Sequence, residues 1–259
     1  MSFIQFPSTP DLLIRKLENF APLSDEEKRA LGSAIGPVKA VEADTDIVRQ
    51  GERPSAASLI VKGFACRYQV LSDGRRQIMA FHVPGDIVDL HSLLLDEMDH
   101  SIGTITTCEI APIPHRTLLD IVERYPRIAQ ALWSDTLIDG AIFRQWMVGI
   151  GRRSAYERIA HFLCEMLVKL KAVGLAQDHT CELPITQSEL ADALGLSTVH
   201  VNRVVQRLRR EGLITLRGTT LVIHDWGDLA ETGEFSPAYL HLGRDNRAMP
   251  EQRPLQGPA

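Results

Sequence analysis

Three textures of apolar and polar residues follow one another along the chain. From Val41 to about Pro114, short β-rich runs such as "SLIVKG", "ACRYQVL", "RQIMAFHV" and "SIGTITTCEIAPI" alternate with Gly, Pro and Asp. The Asp73-Gly74 pair inside "LSDGRR" predicts a tight hairpin, because both residues tolerate the positive φ of the favoured two-residue turns. Many short strands at close spacing predict an antiparallel barrel or jelly roll. Ahead of them, Ser24 with Glu27 three residues on is a capping box that opens a short helix.

The second texture is helical. A short helix in "RTLLDIVERY" stops before Pro126, which suits the first turn of the next helix, running to about Val148. In that helix Ala129, Trp133, Thr136, Gly140, Phe143, Met147 and Ile150 recur at alternating spacings of four and three, the seam of a parallel dimer contact. A second apolar edge, Leu132, Leu137 and Ala141, faces the barrel. The two glycines of "VGIGRR" predict a hinge. Ser154 and Glu157 then cap a helix from Ala155 to about Ala172, with Ile159, Phe162, Leu163, Met166, Leu167 and Leu170 on one side. "GLAQDHTCELP" reads as a loop.

The third texture is compact. Thr186 and Glu189 cap a helix that begins at Gln187 and stops at Gly195. Ala191, Gly195, Val201 and Val204 have the spacing of a helix-turn-helix: a small residue for close approach, a glycine for the turn, and two valines to anchor the second helix. Ser197 is its natural N-cap. At 100° per residue, Val201, Val204, Val205 and Leu208 share one sector. Val199, Asn202, Arg203, Gln206 and Arg210 point the other way. From Ser197 to Arg217 there are five Arg and one acidic residue, Glu211. Outward amides and guanidiniums suit the major groove, where planar donors and acceptors read base edges. "LITL" and "TLVI" around "RGT" form a hairpin wing with Arg217 near its tip, in reach of phosphate. The polar tail begins at Ala230; "FSPAYLHL" is expected to dock on the domain, and "RDNRAMPEQRPLQGPA" to be disordered.

Composition adds constraints. The 259 residues carry a net charge of -5, so any nucleic-acid affinity is local to a patch. Cys66, Cys108, Cys164 and Cys181 have no metal spacing and are expected to be free, buried thiols in a cytoplasmic protein. No apolar run spans a bilayer, the N-terminus lacks a signal-peptide pattern, and no nucleophile elbow, phosphate loop or metal cluster marks an enzyme.

A β-roll, a long seam helix, a hinge and a winged helix together resemble bacterial transcription regulators of the cyclic-AMP receptor protein/FNR family. The resemblance covers roughly Ser24 to Ile223 and is most specific in "TQSELADALGLSTVHVNRVVQRLRREGLI"; Gly51, Gly63, Gly74 and Gly85 match the family's turn glycines. It implies an α+β fold: an antiparallel, jelly-roll-like sensor domain over 1–125, a dimerisation helix and hinge over 126–152, a winged helix-turn-helix over 153–229 and a tail over 230–259. It also implies a homodimer on a two-fold symmetric operator, with RNA polymerase as partner. Arg203 falls where the family's arginine grips a guanine. Asn202 stands where the FNR branch has a base-touching serine, and Thr198 where the cyclic-AMP receptor has arginine. Val199 departs from the usual glutamate and can contact only a thymine methyl. Thr198, Val199, Asn202, Arg203 and Gln206 are the base-reading candidates; Gln187, Ser197, His200, Arg210 and Arg217 are those for phosphate.

The effector pocket departs further. Where the cyclic-AMP receptor has a ribose-binding glutamate and a phosphate-binding arginine, the chain has Leu90 and His100; only Ser101 is retained. The hydroxyl pair that meets adenine reads Phe143 and Arg144. Regulation by cyclic AMP is therefore not expected. No cysteine precedes Cys66, so the FNR iron–sulfur centre is missing. His82, His91 and His100 lie in the domain where a haem ligand would sit, but structural histidines suffice, and no cofactor or metal is expected. The competing reading is a small-molecule, haem or redox sensor module that acts through a protein partner.

Overall fold

A computed structural model describes residues 9–242 of the chain; the expected disorder of "RDNRAMPEQRPLQGPA" lies outside them. The described chain opens with α1 (Thr9–Glu18) and α2 (Asp25–Ala34). The Ser24–Glu27 capping box that starts α2 is formed in both directions. Helix α1 was not foreseen, although Leu12, Leu13 and Leu17 mark its buried face.

The β-roll follows as β1 (Lys39–Val41), β2 (Asp46–Val48), β3 (Ala56–Lys62), β4 (Ala65–Val70), β5 (Arg76–His82), β6 (Ser101–Thr104) and β7 (Cys108–Pro114). One sheet has the order β1-β7-β3 and the other β2-β6-β4-β5, all pairs antiparallel. The run "SIGTITTCEIAPI" is thus two strands on two sheets rather than one. The Asp73-Gly74 turn joins β4 to β5 as expected, and Gly51, Gly63, Gly74 and Gly85 all take positive φ. Val48, Ile60, Val88, Met98, Ile102, Cys108 and Ile110 fill the space between the sheets.

Helix α3 (His115–Arg124) leads into α4 (Pro126–Arg152), with Pro126 in its first turn. The helix does not stop near Val148. Gly149 and Gly151 remain helical, and the break comes at Arg153, whose backbone is extended. Helix α4 packs Ile128, Ala131, Leu132, Ile138, Ala141 and Ile142 inward. Leu137, expected on that inner edge, is instead exposed.

Helix α5 (Ala155–Ala172) is buried on nearly every side, more completely than one apolar face predicts. Part of its cover is α8 (Trp226–Thr232) and the segment after it, where Phe235 and Leu240 are buried. A Cβ on Gly233 would come within 2.5 Å of the His161 backbone nitrogen, so only glycine permits this approach. The docking of "FSPAYLHL" is therefore observed, but α8 runs across the expected boundary at 229/230 and extends the packed unit to Leu242.

The remaining elements are β8 (Ala176–Gln177), β9 (Thr180–Glu182), α6 (Gln187–Leu194), α7 (Thr198–Arg210), β10 (Ile214–Arg217) and β11 (Thr220–Ile223). The wing is a four-stranded sheet in the order β10-β11-β9-β8. "GLAQDHTCELP" is therefore not a loop but the outer hairpin of this sheet, turning at Asp178 with φ 52°.

Candidate functional site

The outward face of α7 is built by its inward one. Val201, Val204, Val205 and Leu208 are buried against α5 and α6. Gly195 ends α6 in the left-handed region at φ 62°, ψ 42°, where a side chain would be strained. Ser197 caps α7: its Oγ accepts from the His200 amide at 3.2 Å. The Thr186–Glu189 box fixes the start of α6.

These contacts leave Thr198, Val199, His200, Asn202, Arg203, Gln206 and Arg210 in solvent. Val199 is 69% exposed. Among the described residues Arg203 has no recorded hydrogen bond or ion pair. Asn202 Nδ2 donates to Gln187 Oε1 at 3.0 Å, which joins a base-reading candidate to a phosphate candidate. The Gln206 carbonyl accepts from Arg210 Nε at 3.4 Å. Arg217 lies at the exposed end of β10. Glu211, the acidic residue in this stretch, is tied to Arg207 at 2.8 Å and accepts a short hydrogen bond from the Tyr156 hydroxyl. Arg207 also stacks over the Tyr156 ring at 4.1 Å. The remaining arginines thus face outward with little opposing charge. Their arrangement can grip a polyanion and present planar hydrogen-bonding groups to base edges.

The roll approaches this domain directly. Arg76 on β5 bonds Asp192 on α6 at 2.9 Å, and Gln77 Nε2 donates to the Ala193 carbonyl at 3.1 Å. Arg158 donates from one guanidinium to the carbonyls of Ile150, Arg153 and Leu194, which ties the end of α4, the break after it and the end of α6 together.

The cavity between the roll and α4 is small, about 100 Å³. Leu90 lines it, with Lys16, Arg67, His82, Asp86, Asp135, Asp139 and Lys169. His100, Ser101, Phe143 and Arg144 do not. Ser101 Oγ accepts from the Gln50 amide at 3.0 Å, Phe143 lies under Arg67 at 5.4 Å, and Arg144 is exposed. The five positions carried over for the effector therefore do not converge.

The cavity has its own charge network, which short motifs could not reveal. Lys16 lies 2.9 Å from Asp86 and 2.7 Å from Asp135; Arg67 lies 2.6 Å from Asp139. Burial alone would raise the Asp86 carboxyl, but the Lys16 ammonium and the His82 hydrogen bond outweigh it and hold it well below the usual range. Burial pushes His82 down to about 4, so it is neutral at pH 7. Lys169 donates to the Phe81 carbonyl at 3.0 Å. Next to it on α5, Glu165 accepts from Trp146 Nε1 at 3.0 Å and from the Tyr239 hydroxyl at 2.5 Å, and burial raises its carboxyl.

Cys66, Cys108, Cys164 and Cys181 are free and buried, as expected. Burial pushes Cys66 and Cys181 up to about 12, which makes them poor thiolate nucleophiles.

The uncovered face of α4 carries Trp133, 69% exposed, and Met147, 73% exposed. Leu137, Val148 and Ile150 add to it. Of the heptad reading, Trp133, Thr136, Met147 and Ile150 are exposed and Ala129, Gly140 and Phe143 are half-buried, with Leu137 exposed beside them. Phe143 is turned toward Arg67, and the Thr136 hydroxyl bonds back to the Leu132 carbonyl at 3.1 Å. Among the described residues no helix is long and apolar enough to cross a membrane.

Residues 38–125 match the cyclic nucleotide-binding domain family, and residues 157–232 match the Crp-like helix-turn-helix domain. The chain is 31% identical over 205 residues to transcriptional activatory protein AadR of Rhodopseudomonas palustris, covering 75% of this chain and 79% of that protein. It is 28% identical over 211 residues to transcriptional activator protein FnrL of Cereibacter sphaeroides, covering 80% and 84%. The solved structure of FixK2 from Bradyrhizobium japonicum superposes with a TM-score of 0.70 at 26% identity, over 77% of this chain and 98% of that one.

Proposed function

The chain belongs to the cyclic-AMP receptor protein/FNR family of DNA-binding transcription regulators, and from that premise we propose how it reads DNA. It acts as a homodimer. Trp133, Thr136, Gly140, Met147 and Ile150, with Ala129 and Leu137, supply the contact along α4, which otherwise leaves large apolar side chains in water. Each α7 enters one major groove, and the two half-sites lie one helical turn, about 34 Å, apart. Arg203 grips a guanine through O6 and N7, Gln206 and Asn202 pair with adjacent bases, and Val199 packs on a thymine methyl. Thr198 reads at the helix start. Ser197, His200, Gln187, Arg210 and Arg217 hold phosphates, with the exposed amides at the start of α7 helping. RNA polymerase is the partner at the promoter, and the protein works in the cytoplasm. It is not an enzyme.

Cyclic AMP does not control it. The observation behind this is a cavity of about 100 Å³ crossed by a Lys16–Asp86–Asp135 network, with Leu90 on its wall. A nucleotide would have to displace buried, compensated charges. Calorimetric titration tests the point: no heat of binding is expected, and micromolar affinity would overturn the claim.

The DNA reading rests on one observation, the solvent-facing Arg203, Asn202 and Val199 on a helix whose other side is fully buried. Selection of bound sequences from random duplexes should return a two-fold symmetric site. Absence of any sequence preference at moderate salt would sink it. Trp133→Asp with Leu137→Asp should shift the sedimenting species from dimer to monomer.

A further inference from the structure

The connection from β5 to β6 carries His91 on a short 3-10 turn, Leu90–Leu93, and His100 immediately before β6. Their rings stand 4.8 Å apart, tilted by 42°. The Nε2 atoms of both are buried, and neither has a hydrogen-bond partner among the described residues. A buried polar nitrogen without a partner costs free energy, so two side by side call for a shared reason. Asp99 adds to the pair: its Oδ1 lies 2.6 Å from His100 Nδ1. One potential ligand atom from each of His91, Asp99 and His100 lies within 4.8 Å of the others. We propose that His91 and His100, with Asp99, form a binding site for a divalent transition-metal cation of the zinc, cobalt and nickel class.

The donor set selects the class. Imidazole nitrogen suits zinc, nickel and copper, whereas magnesium and calcium require oxygen cages. The Asp99–His100 contact is the carboxylate–histidine pair common at metal sites. It places the His100 proton on Nδ1 and leaves the Nε2 lone pair for the ion.

Charge is also compatible. Arg67 is close to both rings, but Asp139 bonds it at 2.6 Å. Asp99 is then left to offset an incoming cation. The ligand proposed is a bare ion with water in its open positions. Metal–nitrogen bonds of about 2.0–2.1 Å require the two imidazoles to draw together on the ion, with Asp99 held against His100 Nδ1. Rotation of the rings on the loop provides that. The loaded ion ties the 3-10 turn to the start of β6 and closes the connection that bears the exposed Leu94 and Leu95. This inference does not depend on the DNA reading.

The test uses the full chain, stripped by a chelator and titrated with cobalt(II) alone. The visible absorption of the bound ion reports uptake, and zinc(II) displaces it. One equivalent per chain is expected. His91→Gln and His100→Gln should each weaken uptake at least tenfold, and Asp99→Asn by about 10–100-fold. His224→Ala, in the wing, should change nothing. The proposal is overturned if the wild-type chain takes up no more cobalt than the His91→Gln/His100→Gln double variant. A second measurement needs no variant: cobalt should slow proteolysis between residues 92 and 99, and unchanged cleavage would equally overturn it.

Discussion

On α7, Arg203 and Asn202 hold their polar heads in solvent. Beneath α4, Lys16 sits 2.9 Å from Asp86 and 2.7 Å from Asp135, and Arg67 sits 2.6 Å from Asp139. Both regions are dense in charge. In the first, charge is left uncompensated on a helix whose position is fixed by apolar contacts. In the second, charge itself fixes the position of α1, the roll and α4. A polar residue kept available for a partner therefore differs from one used as internal architecture by what anchors it, not by its chemistry. Substitutions in the two regions should separate accordingly: cavity variants should change stability, and α7 variants should change binding at constant stability.

The largest effect is expected from Lys16→Met, which leaves Asp86 and Asp135 buried without their cation. Removal of one partner from a buried ionic cluster costs about 3–5 kcal/mol. Urea unfolding should show it, and a loss below about 1 kcal/mol would place this network with ordinary surface pairs.

Acid should probe the same interior. Burial holds His82 and His161 down to about 4 in the folded chain. The unfolded chain protonates a histidine near 6.5. Between these values the unfolded state binds more protons, so stability is fully present above about 6.5 and falls as pH drops toward 4. The loss attributable to His82 approaches about 3 kcal/mol. His82→Asn should flatten the slope of unfolding free energy against pH in this window.

Arg203→Ala should leave the unfolding midpoint unchanged and weaken binding to the selected site by about 1–3 kcal/mol, with relaxed preference at one base pair. Fluorescence anisotropy on matched and mismatched duplexes checks both. The smallest effect is expected at the wing. Arg217→Ala should weaken binding to all sequences alike and reduce the slope of log affinity against log salt by about 1.

The two regions also differed in how far the sequence disclosed them. The α7 face was legible because its determinants are local. The Ala191–Gly195–Val201–Val204 spacing, the Ser197 cap and the Thr186–Glu189 box lie within a few turns of one another, and each was formed as expected. The cavity was not legible. Lys16, Asp86 and Asp135 are remote in sequence and meet only through tertiary packing. The same reason explains why the effector positions carried over do not converge: Phe143 and Arg144 sit on the expected helix but do not line the cavity. Helix α8 and the β8–β9 hairpin were missed because short elements owe their form to the α5 surface and to the wing, not to propensity. The glycines of "VGIGRR" did not break α4, since a helix held by packing tolerates glycine at about 1 kcal/mol each.

Two contacts between the roll and the winged domain set the geometry of assembly. Arg76 and Gln77 on β5 grip Asp192 and Ala193 on α6, so the winged domain is moored to the sensor half as well as strung from the end of α4. In a symmetric pair, the distance between the two reading heads is then a property of the rolls. A chain with these two moorings cut would keep its affinity for a single half-site and lose its ruler for the gap between two.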